Sequence, residues 1–304
     1  MHSIFSETDA REIASSDKET VLESSLNANI QHTHVCGGHA RCSTCRIQIT
    51  GGLDHCRARN DAEQQMQQRL GLPDDIRLAC QTRIDGDIRM RRLAVDDLDT
   101  QIIRDQLSQS AGGAPLGREK NIAVMFADLS NYTEFTESLP AFDVVHVLNR
   151  YYLTMNNVVE AHHGVISDVA GDGMLVLFGA CGKETGLVMD AIRSIRAMQA
   201  ELATFNEYLQ QMYNRLFGLR AGISYGTAIV GNFSTGPMSK IAAIGDVVNF
   251  ASRIEHANRQ LGTQVLISEA AYKKVDKGEV TVAGTYACEL KGKSGTHTLY
   301  EIAI

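Results

Sequence analysis

"VCGGHARCSTCRIQI", residues Val35 to Ile49, places three cysteines within ten positions and then alternates polar and apolar residues. The spacing is C-x5-C-x2-C, and a fourth cysteine, Cys80, follows in the separate segment "RLACQTRI". The small residues between the cysteines let backbone N–H groups turn inward, towards a negatively charged bound group. The alternation in "CRIQI" predicts a short strand after the loop. The stretch therefore predicts a small β-rich domain built around a thiolate-bound group.

Four thiolates are the ligand set of an iron–sulfur cluster, and three on one loop with a distant fourth is the ferredoxin pattern. The segment resembles the 2Fe–2S ferredoxins of adrenodoxin-like spacing, over most of residues 1–93. The resemblance implies a β-grasp fold. It also implies a 2Fe–2S cluster held by Cys36, Cys42, Cys45 and Cys80.

Two other interpretations of these cysteines stay open at this point. A structural zinc site could recruit nearby histidines, although zinc loops usually supply their ligands in pairs. Buried free thiols rarely cluster in this way. The histidines in question are His34, His39 and His55. The other cysteines are expected to be ordinary buried thiols, namely Cys56, Cys181 and Cys288.

Composition limits the class of protein. A chain of 304 residues is long enough for about two domains, and its net charge of −7 argues against a nucleic-acid partner. No apolar run approaches the ~18 residues that cross a bilayer, and the polar N-terminus does not read as a signal peptide. The odd count of seven cysteines then suits a reducing compartment. We expect a cytoplasmic protein without membrane contact.

The segment "SAGGAPLG", residues 110–117, is the best candidate boundary because glycine and proline interrupt regular structure. It follows a short helical pattern over Asp97–Gln109. Beyond it, predicted strands and helices alternate, which is typical of an α/β domain. We therefore expect a two-domain chain of the α+β and α/β classes, with domains at 1–93 and 121–304 and a helical linker at 94–120.

Two acids in the second domain follow apolar strands. Asp128 lies in "VMFADLSNYTEF", and Asp172 lies in the predicted hairpin turn of "DVAGDGMLVLF", where glycines on both sides supply positive φ. Two carboxylates on adjacent strand ends suit two-metal phosphoryl transfer. Taken singly, Asp128 could instead be a helix N-cap, and Asp172 could be an ordinary I′-turn aspartate. The amides that follow Asp128 would face a polyphosphate at a helix N-terminus; they belong to Leu129, Ser130, Asn131, Tyr132 and Thr133.

Asn249 and Arg253, in "IGDVVNFASRIE", are four residues apart and share one face of a predicted helix. An amide next to a guanidinium can orient a ribose and bind a phosphate that gains charge in the transition state. A surface salt bridge of Arg253 is the alternative.

These stretches resemble the class III nucleotidyl cyclases, over essentially all of Asn121–Ile304. The matching pieces are "FADLSNYTEFTE", "GDGMLVLFG", "RAGISYGTAIVGN", "IGDVVNFASRIE" and "LKGKSGTHTLYEI". The resemblance implies a ferredoxin-like sandwich that converts a purine nucleoside triphosphate to a cyclic nucleotide and pyrophosphate. It assigns two Mg²⁺ or Mn²⁺ ions to Asp128 and Asp172, and catalytic roles to Asn249, Arg253 and Lys291, with Lys293 as the substitute for Lys291.

The resemblance also implies a head-to-tail homodimer. In this family the metal-binding acids of one site and its asparagine and arginine come from different subunits. One chain carries one copy of each motif, so we expect two shared sites per dimer and an inactive monomer.

The base-recognition positions of the family are occupied here by Asp168 and Ala242, which match neither the adenylate nor the guanylate pattern. An ionised carboxylate can only accept hydrogen bonds. It suits the N–H groups of guanine or the amino group of adenine. We expect ATP as the substrate, with GTP as the alternative.

Cyclisation transfers no electrons, so a ferredoxin domain on the same chain must have a role outside the reaction itself. We expect the cluster to regulate the enzyme as a redox sensor, which allows for a redox partner. A stabilising or docking module is one alternative. Another is an electron-transfer protein fused to an inactive, nucleotide-binding cyclase fold.

Overall fold

A computed structural model gives the structure of residues 1–93, 117–235 and 238–304. The chain divides into two compact units, Met1–Leu116 and Gly117–Ile304. The helix expected over Asp97–Gln109 lies outside the described residues, as does most of the expected linker.

The first unit is a five-stranded sheet with two helices and a short 3-10 turn. Its elements are β1 His2–Ser6, β2 Arg11–Ser15, α1 Val21–Asn27, β3 Arg46–Gly51, α2 Asp61–Leu70, β4 Ile76–Leu78 and β5 Ile88–Arg92. The strand order is β2-β1-β5-β3-β4. Only the central β1–β5 pair is parallel. This is the β-grasp architecture that the resemblance to the 2Fe–2S ferredoxins implied.

Local sequence explains how α1 begins. The hydroxyl of Thr20 accepts the Glu23 N–H at 3.2 Å, and the Glu23 carboxylate accepts the Thr20 N–H at 2.7 Å. This reciprocal capping box satisfies two backbone donors that the first turn leaves unpaired. The helix then buries Val21 and Leu22 against the apolar face of the sheet.

The second unit is an eight-stranded sheet with helices on both faces. Its elements are β6 Arg118–Ser130, α3 Tyr132–Ser138, α4 Ala141–Ala161, β7 Gly164–Ala170, β8 Gly173–Phe178, α5 Leu187–Tyr213, β9 Gly218–Thr235, β10 Met238–Ile244, α6 Asp246–Leu261, β11 Val265–Ser268, α7 Glu269–Tyr272, β12 Val282–Glu289 and β13 Thr296–Ile302. The strand order is β12-β13-β11-β9-β6-β8-β7, and β10 pairs with β9.

Strand β6 lies inside this sheet and is buried on both faces. Ala123 and Met125 face the core formed with α4 and α5, whereas Ile122 and Val124 face α6. A strand buried on two sides reads as an unbroken apolar run, which is why "IAVMFA" predicted it so clearly. The predicted sandwich of helices on a sheet is confirmed.

Three details differ from expectation. Strand β6 begins at Arg118, three residues inside the expected linker. Strands β10 and β12 were not anticipated. In the β7–β8 turn, Gly171 has a φ of +62° but Asp172 and Gly173 lie outside the positive-φ region, so this turn is not of type I′.

No helix in the described ranges has the length and apolar character of a membrane span.

Helix α6 lies directly on β9 at Gly222, where a Cβ atom would come within 2.1 Å of the Glu255 backbone nitrogen. A Gly222→Ala substitution should force α6 outward and destabilise the fold by about 3 kcal/mol. Gly226→Ala is the matched control on the same strand, because its added methyl would meet only Val247, at 3.5 Å. Urea unfolding of both variants tests this, and equal unfolding midpoints would refute the tight packing.

Candidate functional site

The end of β6 and the β7–β8 turn bring Asp128 and Asp172 together. Asp128 is opposite Arg220 in the β6–β9 ladder, and Asp172 follows Gly171 in a two-residue turn. The Tyr152 hydroxyl of α4 donates to the Gly171 carbonyl and so ties this turn to the helix beneath it. The two carboxylates predicted to form a pair do so in one chain.

The pair is electrostatically unfavourable without a cation. Burial, the charge of Asp128 and a hydrogen bond with its carboxyl raise the pKa of Asp172 to about 6, against the opposing N–H groups of Asp172 and Leu129. Two carboxylates in contact raise one pKa because both cannot ionise freely. A bound divalent cation would remove this repulsion, so the donor set fits a metal ion.

Two charged residues that sequence reasoning missed complete this region. Arg220 on β9 lies 3.9 Å from Asp128 and 3.8 Å from Glu255 on α6. Burial, followed by the charge of Asp128, raises the pKa of Glu255 to about 7, although Arg220 opposes this. Only the register of β9 against β6 places Arg220 here, and the sequence does not reveal that register.

A cavity of about 320 Å³ opens beside Asp128. Its wall includes Asp168, Glu255 and the apolar side chains of Phe126 and Leu175. The Asp168 carboxylate is 3.0 Å from the ammonium group of Lys240 on β10. Ala242, the other expected base-recognition residue, is on the same strand opposite Gly231.

The other expected catalytic residues lie elsewhere in the described chain. Asn249 and Arg253 lie on the exposed face of α6, opposite the buried Val247 and Ala251, and neither lines the cavity. Lys291 is exposed in the turn after β12. Its predicted substitute, Lys293, contacts the Asp246 carboxylate and lies 5.4 Å from the centre of the Phe250 ring.

The five backbone amides expected to face a polyphosphate do not all lie at a helix N-terminus. Leu129 and Ser130 belong to β6 and pair with β9, because the strand continues past Asp128. The Leu129 N–H points to the Asp172 carboxylate. Asn131 has a φ of +70° and precedes α3, in which Tyr132 and Thr133 form the first turn.

In the first unit, one loop and one strand end carry the four predicted cysteine ligands. Gly37, Gly38 and Ala40 have φ values of +72°, +86° and +52°, which curve the loop around its own N–H groups. The Gln81 side-chain amide donates to the Cys80 sulfur at 3.3 Å and to the Gly38 carbonyl at 3.0 Å. This residue links the distant fourth cysteine to the loop.

The four thiols form two hydrogen-bonded pairs, Cys36 with Cys42 and Cys45 with Cys80. A hydrogen bond from Cys45 and one from Gln81 lower the pKa of Cys80 to about 6, although burial opposes them. Burial raises the pKa of Cys36, but hydrogen bonds from Cys42 and from the Arg41 and His39 N–H groups outweigh it and lower the pKa. The pKa of Cys42 is instead raised, chiefly by burial, and that of Cys45 is raised chiefly by its hydrogen bond to Cys80. Each pair therefore holds one stabilised thiolate, which suits a metal cluster.

This pairing favours a two-iron cluster over zinc. In the ranges that the structure describes, no three His, Cys, Asp or Glu side chains converge as they would around a single ion. Two pairs of thiolates are what a 2Fe–2S cluster requires. Of the remaining cysteines, Cys56 and Cys288 are half-buried, but Cys181 is exposed, so the expectation of a buried thiol was wrong there.

Fold and site together define a cyclase-type catalytic domain that follows a ferredoxin-type iron–sulfur domain. The profile of the "Adenylate and Guanylate cyclase catalytic domain" family matches residues 115–303, and that of the "2Fe-2S iron-sulfur cluster binding domain" matches residues 4–85. The chain therefore belongs to the adenylate and guanylate cyclase catalytic domain family, as its motifs predicted. The match at residues 4–85 agrees with the ferredoxin-type cysteine spacing.

Two of the relatives found in the sequence comparison are adenylate cyclases. Adenylate cyclase 1 of Rhizobium meliloti is 29% identical over 66% of this chain and 30% of its own length. The adenylate cyclase of Anabaena cylindrica is 25% identical over 60% of this chain and 37% of its own length. The chain thus spans about a third of the length of these relatives.

Solved structures agree with the fold of the second unit. The guanylyl cyclase Cya2 is 28% identical, with a TM-score of 0.57 over 62% of this chain and 93% of that one. The adenylyl cyclase CyaB of P. aeruginosa is 26% identical, with a TM-score of 0.56 over 62% of this chain and 95% of that one.

Proposed function

We propose that the protein is an adenylate cyclase that converts ATP to 3′,5′-cyclic AMP and pyrophosphate under the control of its iron–sulfur domain. The observation that supports the activity most strongly is the contact between Asp128 and Asp172. Burial, followed by the charge of Asp128, raises the pKa of Asp172 to about 6. Retaining two repelling carboxylates at this point costs stability unless a cation binds them.

In the proposed site, Asp128 and Asp172 hold two divalent cations, which when bound would activate the ribose 3′-hydroxyl and neutralise the triphosphate. The 3′-oxygen forms a bond to the α-phosphorus, its proton is released, and the bond to the pyrophosphate oxygen breaks. Arg220, 3.9 Å from Asp128, positions that carboxylate.

The groups that complete the site come from a second copy of the chain. Asn249 and Arg253 are exposed and lie outside the cavity that Asp128 lines. A head-to-tail homodimer would bring the Asn249 amide to the ribose and the Arg253 guanidinium to the α-phosphate, where charge develops. Lys291 would bind the terminal phosphates from the same exposed side.

We propose that the cluster regulates this reaction. Cys36, Cys42, Cys45 and Cys80 would hold a 2Fe–2S cluster, which when bound could take up one electron. Electron transfer has no place in the cyclisation itself, because no atom of the nucleotide is oxidised or reduced. A small change in subunit alignment could alter the rate greatly, since a shift on the order of 1 Å can cost ~10²-fold.

One experiment tests both the proposed cyclase activity and its proposed regulation by the cluster. The full chain is assayed with ATP and with GTP, under Mg²⁺ and Mn²⁺, with the cluster oxidised, reduced by dithionite, or removed, and the products are identified. We expect cyclic AMP as the main product and a rate that depends on cluster state. Faster turnover of GTP would make it a guanylate cyclase, and equal rates in all three states would reject regulation.

A further inference from the structure

The side-chain amide of Gln81 is engaged at both of its ends. Its nitrogen donates to the Cys80 sulfur at 3.3 Å and to the Gly38 carbonyl at 3.0 Å. Its oxygen accepts the Asn60 side-chain N–H at 2.9 Å. An amide has one donating and one accepting end, so its orientation decides whether the contact favours negative charge on the sulfur. Here the donating end faces Cys80.

Asn60 contributes to this orientation from the start of α2. Its side-chain oxygen accepts the Glu63 N–H at 2.9 Å and so caps the helix. Because the oxygen is used in the cap, the amide nitrogen of Asn60 points the other way, and it donates to the Gln81 oxygen. The helix cap therefore holds the Gln81 oxygen away from the sulfur.

These contacts form a relay from the N-terminus of α2 to a predicted cluster ligand. We propose that the Asn60–Gln81 relay raises the reduction potential of the 2Fe–2S cluster, with Gln81 donating to the Cys80 sulfur and Asn60 acting through Gln81 as a positioning residue. The inference goes beyond the proposed function, because it concerns the potential of the cluster and not the cyclase reaction.

The direction of the effect follows from charge. Uptake of one electron by a bound cluster would make the iron–sulfur group and its thiolates more negative. Hydrogen bonds to the sulfurs are among the factors that set the potential of such a cluster. A donor to a charged acceptor binds more strongly as the negative charge grows, so the Gln81 N–H favours the reduced form. Loss of this donor should make reduction harder.

A purely structural role for Gln81 is the alternative. Its bond to the Gly38 carbonyl ties the Cys80 segment to the cysteine loop, and this tie alone would help to retain a cluster. A structural tie predicts earlier loss of the cluster in urea without a change in potential. The relay predicts a change in potential, so the two roles are separated by a redox titration.

The test is a redox titration of the full, cluster-loaded chain with dithionite as the electron donor, followed by visible absorbance. Gln81→Leu, which removes the donor, should move the midpoint potential to a more negative value. Asn60→Ser keeps an oxygen that can cap α2 but lacks the amide donor, so it should shift the potential in the same direction and by less. The double variant should match Gln81→Leu, because Asn60 acts through Gln81.

Gln48→Leu is the matched control, since the Gln48 amide lies in the same domain but donates to the Asp75 carboxylate at 2.8 Å. It should leave the midpoint potential unchanged. If Gln81→Leu does not retain the cluster, the shift in Asn60→Ser decides the test. Wild-type potentials in both single variants would overturn the inference, and fully additive shifts in the double variant would overturn the relay. A wild-type chain that takes up no 2Fe–2S cluster would reject the inference together with the cluster, whatever its cyclase activity.

Discussion

Mixing Asp128→Ala chains with Arg253→Ala chains should restore cyclase activity that neither variant has alone. Each variant by itself should lose about 10²–10³-fold, because one removes a carboxylate of the proposed metal pair and the other a donor to the developing charge. In a mixed dimer one site carries both lesions and the other carries neither. Random mixing should therefore recover about a quarter of the wild-type rate.

The measurement is cyclic AMP production across a range of mixing ratios, with the maximum expected at equal amounts. A chain that carries both substitutions is the control, because mixing it with either single variant creates no intact site. Failure of the single variants to complement each other would show that Asp128 and Arg253 act within one chain. It would also require an explanation of how the exposed face of α6 reaches the cavity.

The parts of the fold that sequence predicted well are those in which local pattern and burial agree. The unbroken apolar run of β6 and the long periodic helices α4, α5 and α6 are such elements. The β7–β8 hairpin was predicted because its turn contains Gly171, and glycine readily adopts the positive φ that is found there. Strand β10 was missed because its apolar residues alternate only weakly, although it follows β9 directly in the chain and pairs with it in antiparallel fashion.

The residues of the candidate site likewise divide into those that sequence motifs predicted and those that were missed. Asp128, Asp172 and the four cysteine ligands stand in short motifs whose spacing is itself the signal. Arg220, Glu255 and Lys240 carry no such motif. Strand register places Arg220 opposite Asp128, and the packing of α6 on Gly222 brings Glu255 to the cavity wall. A charged residue inside a strand gives no sign in sequence of the residue that faces it.

The segment that carries Cys80 depends on a buried ion pair, Glu63 with Arg77. The Glu63 carboxylate accepts two hydrogen bonds from the Arg77 guanidinium, both at 2.9 Å, and the Leu78 N–H at 2.8 Å. Both side chains are almost fully buried, with 2% and 5% exposed. The Glu63 carboxylate therefore fixes the backbone just before Cys80.

Glu63→Ala should destabilise the iron–sulfur domain by about 4 kcal/mol, because it leaves the Arg77 charge buried without a partner. The Cys80 segment would then lose its anchor, and the cluster should be released at a lower urea concentration. The measurement is the visible absorbance of the cluster during urea unfolding. Asp74→Ala is the matched control, since Asp74 pairs with Arg59 at 3.2 Å but is 85% exposed, and its loss should change stability by less than about 1 kcal/mol. Equal urea midpoints for the two variants would mean that cluster retention does not depend on the buried pair.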